Sequence, residues 1–329
     1  MKPKVLISTS KVNREILNLY ETSLKDMADV RFSSLQMTDE FLKELRDAEA
    51  PIVVLESIGE EMIKHAPKLK IVARYGVGYD NIDIEACTKR EIYVSYTPGV
   101  LSKAVAELTM GLMLCLSRGL IRADKRVRTE WSKPSVTPPP FGIDLVGKTL
   151  GIIGLGRIGY EVARRAKAFE MNLVYYDQVR REDLEKELGI KYMGFDELLR
   201  DSDFVTLHIP LIPETSFLIG ERELRLMKKT AYLINTSRGA VIDEKALCKA
   251  LQESWIAGAG LDVFTKEPLP LESPLTKLEN AVLTPHIGTY TSETRRAMAL
   301  SVIENVRKVL SGKTPLTPVP EQRGKTFRK

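Results

Sequence analysis

The 329-residue sequence is poor in cysteine, histidine and tryptophan, with three, three and two of them. Cys87, Cys115 and Cys248 are widely spaced, odd in number and each set in a helix-like stretch. That pattern argues against a disulfide framework or a zinc site and for buried free thiols, so no metal is expected. Any histidine chemistry falls to His65, His208 or His286. Long apolar runs are also missing. The strongest, Leu108–Leu116, holds Thr109 and Gly111 and is far short of the roughly 18 residues of a membrane span. The opening MKPKVLIS reads as a strand, with no signal region or cleavage site, so a cytoplasmic protein without membrane contact is expected. Charge of one sign is scarcely in excess, with 49 basic and 44 acidic residues and a net charge of +5. Most of that excess lies in a basic tail, EQRGKTFRK, and it implies no nucleic-acid partner. A charged fraction of 28% and a hydrophobic one of 43% are ordinary for a folded chain, and the length suits two domains.

What is present is an alternation of short apolar runs and amphipathic stretches, the pattern of an α/β fold with parallel sheets. In the first hundred residues the strand candidates are Val5–Ser8, Val30–Phe32, Ile52–Leu55, Ile71–Arg74 and Ile92–Ser95. A helix follows over Leu101–Ile121, apolar on most faces and therefore buried on several sides, between domains or in a subunit interface. The prolines of Ser132–Gly142 make that stretch a loop. A second series holds strand candidates at Thr149–Ile153, Leu173–Tyr176, Phe204–Ile209, Tyr232–Asn235, Ala259–Val263 and Val282–Thr284, enough for a full dinucleotide-binding sheet. A last helix runs from about Glu293 to Leu310, with Met298, Val302, Val306 and Leu310 on one face and Gly312 at its end.

Thr149–Ile153 runs into Gly154-Leu155-Gly156-Arg157-Ile158-Gly159 and then a helix whose inward face reads Ile158, Val162, Ala166 and Phe169. Gly154 permits a tight turn, Gly156 lets the backbone approach a pyrophosphate, and Gly159 lets helix and strand pack closely. Asp177 closes the next strand, LVYYD, where a carboxylate accepts ribose hydroxyls and repels a 2′-phosphate. NAD is therefore favoured over NADP, although Arg180 and Arg181 stand nearby.

Three later motifs sit at strand ends, where open α/β sheets place ligands: NTSRG with Arg238, GLDVFTKEP with Asp262 and Glu267, and LTPHIG with His286. Reduction of a carbonyl needs a proton donor, and His suits near-neutral pH. A carboxylate beside that His favours the imidazolium. An Arg holds an anionic substrate through paired hydrogen bonds. His286, Glu267 and Arg238 supply one of each. Singly, each such residue is more often a packed or solvated side chain than a catalytic one; the conjunction carries the reading.

The glycine turn, NTSRGAVID, AGAGLDVFTKEP and LTPHIG, in that order, resemble the D-isomer-specific 2-hydroxyacid dehydrogenase family. ARYGVGYDNIDI (Ala73–Ile84) and AVAELTMGLML (Ala104–Leu114) fit the same family, and the likeness covers nearly the whole chain up to the tail. The resemblance implies two doubly wound parallel-sheet domains, Rossmann-like and flavodoxin-like. A coenzyme domain (101–289) is inserted into a discontinuous substrate domain (1–100 with 290–329). It implies that Arg238 binds the substrate carboxylate and ketone, that Glu267 and His286 form the acid–base pair, and that the amides near Val77 and Gly78 hold the carboxylate. Val105, Arg157, Ile158, Asp177, His208, Ile209, Pro210, Thr236, Ser237, Asp262, His286 and Gly288 then line the coenzyme with the three turn glycines. His65 matches no site of the family. A homodimer is implied as well.

Within the family the residues look most like glyoxylate/hydroxypyruvate reductases, so a small 2-oxo or 2-hydroxy acid is the expected substrate. Phosphoglycerate dehydrogenases usually carry a basic residue after the third strand, where this sequence reads Leu55-Glu56-Ser57. Phosphite dehydrogenases keep the same Arg, Glu and His. The related corepressors bind NAD but act as interaction modules. These remain the alternatives.

Overall fold

The computed structural model describes residues 2–33, 39–131 and 140–327. Of the stretch read as a proline loop, residues 132–139 lie outside the described ones, as do the last two residues of the tail. The chain divides into two compact units, Met1–Leu101 with Tyr290–Lys329, and Ser102–Thr289.

The first unit opens with β1 (Lys4–Ser8), α1 (Arg14–Leu24), β2 (Asp29–Ser33), α2 (Asp39–Arg46), β3 (Ala48–Val53), α3 (Glu60–Lys64), β4 (Ile71–Arg74), α4 (Ile84–Lys89) and β5 (Tyr93–Ser95). The sheet is parallel in the order β2-β1-β3-β4-β5. β4 and β5 are buried at every residue, which is why they read as apolar runs without alternation. Side-chain caps start the helices: Asn13 accepts from the Ile16 amide, and Asp83 from that of Ala86. The third strand ends at Val53, two residues before the expected Leu55, because Glu56 turns back and accepts from the Val54 and Leu55 amides.

The second unit holds α5 (Ser102–Arg118), α6 (Leu120–Thr129), β6 (Thr149–Ile153), α7 (Arg157–Ala168), β7 (Asn172–Tyr176), α8 (Glu182–Leu188), β8 (Lys191–Tyr192) and α9 (Phe195–Asp201). It continues with β9 (Phe204–Leu207), α10 (Glu221–Leu226), β10 (Tyr232–Asn235), α11 (Glu244–Gln252), β11 (Gly258–Leu261) and β12 (Ala281–Leu283). Its parallel sheet has the order β12-β11-β10-β9-β6-β7-β8. The chain winds outward from β6 to one edge and from β9 to the other, so the switch point lies between β6 and β9, where such sheets bind ligands.

Further expectations shift: the strands expected to reach Ile209 and Val263 end at Leu207 and Leu261. β8 is a seventh, two-residue edge strand, exposed and without an apolar run. The helix expected over Leu101–Ile121 breaks at Gly119, whose φ of 60° is left-handed, and α6 continues beyond it. The apolar face of α5 packs in the core of its own unit, with Met110, Leu112, Met113 and Leu116 beside Leu150 and Ile152. Phe169 is 39% exposed and not inward, because α7 has already ended and the chain turns at Glu170 with φ 57°.

The last helix, α12 (Ser292–Leu310), rejoins the first unit and packs on α1, β3 and β4. What reads as a tail is anchored there. The Gln322 side chain is buried, accepts from the Val94 amide at 2.7 Å and donates to the Ile92 carbonyl at 3.0 Å. The Phe327 ring packs against Tyr93. Among the described residues no single helix is long and apolar enough to cross a membrane.

Candidate active site

The glycine turn joins β6 to α7 at the switch point. Gly154 has φ 93°, and a Cβ there would meet the His208 carbonyl at 2.6 Å. A Cβ on Gly159 would stand 2.1 Å from the Gly154 carbonyl, so glycine alone allows helix and turn to pack. A Cβ on Gly156 would meet nothing within 4 Å. The turn therefore presents open space at Gly156, in front of α7, whose N-terminus carries Arg157 and Ile158. The Leu155 amide donates to Asp177 Oδ2 at 2.8 Å, which sets that carboxylate beside the turn.

His208 and Ile209 follow β9 and back the same turn; Ile209 Cγ2 would be 2.7 Å from a Gly154 Cβ. Both ring nitrogens of His208 are buried without a hydrogen-bond partner among the described residues. Burial pulls its pKa down to about 3, so the ring is neutral. The exposed Pro210 accepts from Thr215 Oγ1 through its carbonyl.

Arg238, Glu267 and His286 stand in the segments that follow β10, β11 and β12. His286 Nδ1 lies 2.8 Å from Glu267 Oε2. The other Glu267 oxygen accepts from the Phe264 amide at 3.2 Å. His286 has φ 55°, a left-handed conformation uncommon for a non-glycine residue. It is imposed by Asp262. The Asp262 carbonyl accepts from the His286 amide at 2.9 Å, and its carboxylate accepts from Ile287 N and Gly288 N at 2.8 Å each and from Thr284 Oγ1 at 2.6 Å. Asp262 is 1% exposed, and that burial raises its pKa against the pull of these hydrogen bonds. Gly288 is packed close: a Cβ there would stand 3.2 Å from the Asp262 carboxylate and 3.4 Å from Val105 on α5.

Arg238 follows β10, with its turn held by Asn235. The Asn235 side chain donates to the Arg238 carbonyl at 2.8 Å and accepts from Ser237 N and Oγ. A Cβ on Gly239 would lie 1.9 Å from the Phe264 carbonyl carbon, so glycine lets the Arg238 turn press against the segment leading to Glu267. Arg238 Nη1 donates to the Ser237 carbonyl at 3.0 Å. Thr236 is buried, its hydroxyl 2.9 Å from that of Thr109 on α5. Thr109 and Thr284 are partners that the sequence reading missed; polar positions inside apolar or Pro-containing motifs are their only signal.

Val77 and Gly78 belong to the first unit, on the loop after β4. Among the described residues neither amide donates a hydrogen bond. The loop is held from behind, with Gly76 O accepting from Thr97 N at 2.9 Å and Gly78 O from Arg74 Nε at 2.7 Å. His65, which matched no site, caps α3 and pairs with Glu61 at the surface. Among the described residues no cluster of three or more His, Cys, Asp or Glu is placed to hold a metal.

The sequence profile of the NAD binding domain of D-isomer specific 2-hydroxyacid dehydrogenases matches residues 110–288. A glyoxylate reductase from Korarchaeum cryptofilum is 47% identical over 318 residues, 96% of this chain and 95% of that protein. The chain belongs to the D-isomer specific 2-hydroxyacid dehydrogenase family. Solved structures of the family extend the match. An NADPH-dependent glyoxylate/hydroxypyruvate reductase from Sinorhizobium meliloti, in complex with NADP and malonate, aligns with TM-score 0.87 at 32% identity, covering 100% of this chain and 99% of that one. A D-lactate dehydrogenase from Aquifex aeolicus, complexed with NAD and lactic acid, aligns with TM-score 0.85 at 34% identity, covering 94% and 96%. As a member of this dehydrogenase family the chain is an oxidoreductase with an NAD-binding domain. The open space at Gly156, the α7 N-terminus behind it and the Asp177 carboxylate fit a dinucleotide in that domain.

Proposed function

We propose that this dehydrogenase reduces a small 2-oxo acid of the glyoxylate or hydroxypyruvate type to the 2-hydroxy acid, with NADH as the preferred coenzyme. The observation that carries the reading is the His286 Nδ1–Glu267 Oε2 contact of 2.8 Å at the ends of the strands of the NAD-binding unit. The nicotinamide, when bound, supplies hydride to the carbonyl carbon. His286 Nε2 delivers the proton to the carbonyl oxygen. Glu267 accepts from Nδ1, which fixes the tautomer and orients Nε2 for donation. Arg238 offers its guanidinium to the substrate carboxylate and ketone oxygen, and it polarises the carbonyl. The amides of Val77 and Gly78, without acceptors among the described residues, are the proposed donors for the carboxylate.

Asp262 is a positioning residue whose carboxylate holds the His286 loop through three hydrogen bonds. Gly154, Gly156 and Gly159 make room for the pyrophosphate. Arg157, Ile158, Val105, the His208–Pro210 stretch, Thr236, Ser237 and Gly288 line the coenzyme. The neutral His208 ring adds no charge beside it. Asp177 selects NAD by accepting ribose hydroxyls. An unphosphorylated substrate is supported by Glu56, which places a carboxylate at the end of β3 and ties it to Ser8 Oγ and two backbone amides. We also propose a homodimer. Leu120, Ile121 and Val127 on α6, and Trp131 after it, are exposed together on a helix that buries no residue in its own unit.

The test is NADH consumption with glyoxylate, hydroxypyruvate, pyruvate and bulkier 2-oxo acids, repeated with NADPH, and NAD⁺ reduction with phosphite. The highest kcat/KM is expected with glyoxylate or hydroxypyruvate and NADH. Tight NADH binding without turnover of any 2-oxo acid would refute the enzyme reading in favour of an interaction module.

A further inference from the structure

The loop between β7 and α8 carries two arginines beside the acid that meets the ribose. An unpaired guanidinium there would accommodate a 2′-phosphate and invite NADPH. Neither is unpaired. Arg180 forms a two-pronged contact with Glu185, Nε to Oε1 at 2.8 Å and Nη2 to Oε2 at 2.9 Å. The Tyr175 hydroxyl also donates to Glu185 Oε1 at 2.8 Å, so that pair is locked from two sides. Arg181 pairs in the same way with Asp183, Nε to Oδ1 at 3.1 Å and Nη2 to Oδ2 at 3.0 Å.

The two arginines differ in where they stand. Arg181 Nη1 reaches the Leu155 carbonyl of the glycine turn at 3.5 Å, while Asp177 takes the Leu155 amide at 2.8 Å. Acid and guanidinium thus meet at the two ends of one residue of the turn. The acids differ as well: Asp183 is 64% accessible, whereas Glu185 is 17% accessible.

We infer that Asp183 is a specificity-determining residue. It occupies the paired donors of Arg181 and so withholds from a 2′-phosphate a guanidinium that already reaches the coenzyme turn. Coenzyme choice then rests on two acids, Asp177 at the ribose and Asp183 behind the arginine. The inference rests on the reading of the glycine turn as the dinucleotide site.

Dissociation constants of NADH and NADPH, read by fluorescence titration without substrate, test it in the wild type, D183N, R181A and R181A/D183N. An exposed ion pair is a weak restraint, so D183N is expected to tighten NADPH binding by about two- to fivefold and to leave NADH within about twofold. The double variant is expected to lose the gain. A gain that persists without Arg181 reports only the removal of a negative charge and overturns the inference, as does unchanged NADPH binding in D183N. NADH binding by the wild type keeps the two questions apart. If neither dinucleotide binds the wild type, the site reading itself fails. NADH binding and thermal unfolding of D183N show that the variant is folded.

Discussion

Arg74 donates from Nε to the carbonyl of Gly78 at 2.7 Å, and Arg74 is 6% exposed. A buried guanidinium is costly to desolvate, so what it holds matters. In a trans peptide C=O and N–H point opposite ways. With Gly76 O on Thr97 N, the Val77 N–H is turned outward. Arg74→Met frees the Gly78 carbonyl and lets the loop that carries the Val77 and Gly78 amides shift, so KM for the oxo acid should rise about tenfold, the worth of a lost hydrogen bond to a charged group. NADH affinity should not move, and kcat should stay within about threefold. Unchanged KM in a folded variant would show that the loop keeps its shape without Arg74.

Gly156 separates coenzyme binding from folding. Its φ of −79° and ψ of −160° are open to alanine, and the added methyl meets nothing within 4 Å. Gly156→Ala should unfold at the wild-type temperature or slightly above, because alanine restricts the unfolded chain. Coenzyme binding should weaken at least about tenfold, since the methyl enters the space proposed for the pyrophosphate. Unweakened NADH binding in a titration would move the phosphates elsewhere.

His208 makes a prediction in pH. Its folded pKa is about 3, against about 6.5 for a free histidine. Between those values the unfolded chain takes up a proton that the folded chain refuses. Stability is therefore fully present above about pH 6.5 and is lost as pH falls toward 3. His208→Gln should flatten this acid limb by up to about 1.4 kcal/mol per pH unit. Urea unfolding of the coenzyme-free protein at several pH values checks it; parallel limbs for the two proteins would contradict it.

The parts of the fold readable in advance are those where burial on both faces leaves no choice of residue. Ile71–Arg74, Thr149–Ile153 and Tyr232–Asn235 begin and end where their apolar runs do. Lys191–Tyr192 could not be seen, because an exposed two-residue edge strand carries no pattern. The anchoring of Gln322 was hidden for another reason. A basic composition says nothing of one amide that fits the edge of β5. In the candidate site the residue types were legible, since few side chains can donate a proton or hold an anion. Their geometry was not. Glu267 and His286 are joined only through the pairing of β11 with β12, the left-handed backbone at His286 and the Asp262 carboxylate. Arg74 was legible only as the last residue of a strand.

The central claim is that His286 gives the proton and Glu267 holds its ring in place to do so. The rate of NADH-dependent glyoxylate reduction tests it most directly, compared in the wild type, Glu267→Gln and His286→Ala. His286→Ala should lose at least about 100-fold in rate, the usual worth of a positioned acid. Glu267→Gln should fall between that variant and the wild type, because an amide oxygen can still accept from Nδ1 but without the charge-assisted bond. Near-wild-type turnover in His286→Ala, or undiminished turnover in Glu267→Gln, would contradict the account.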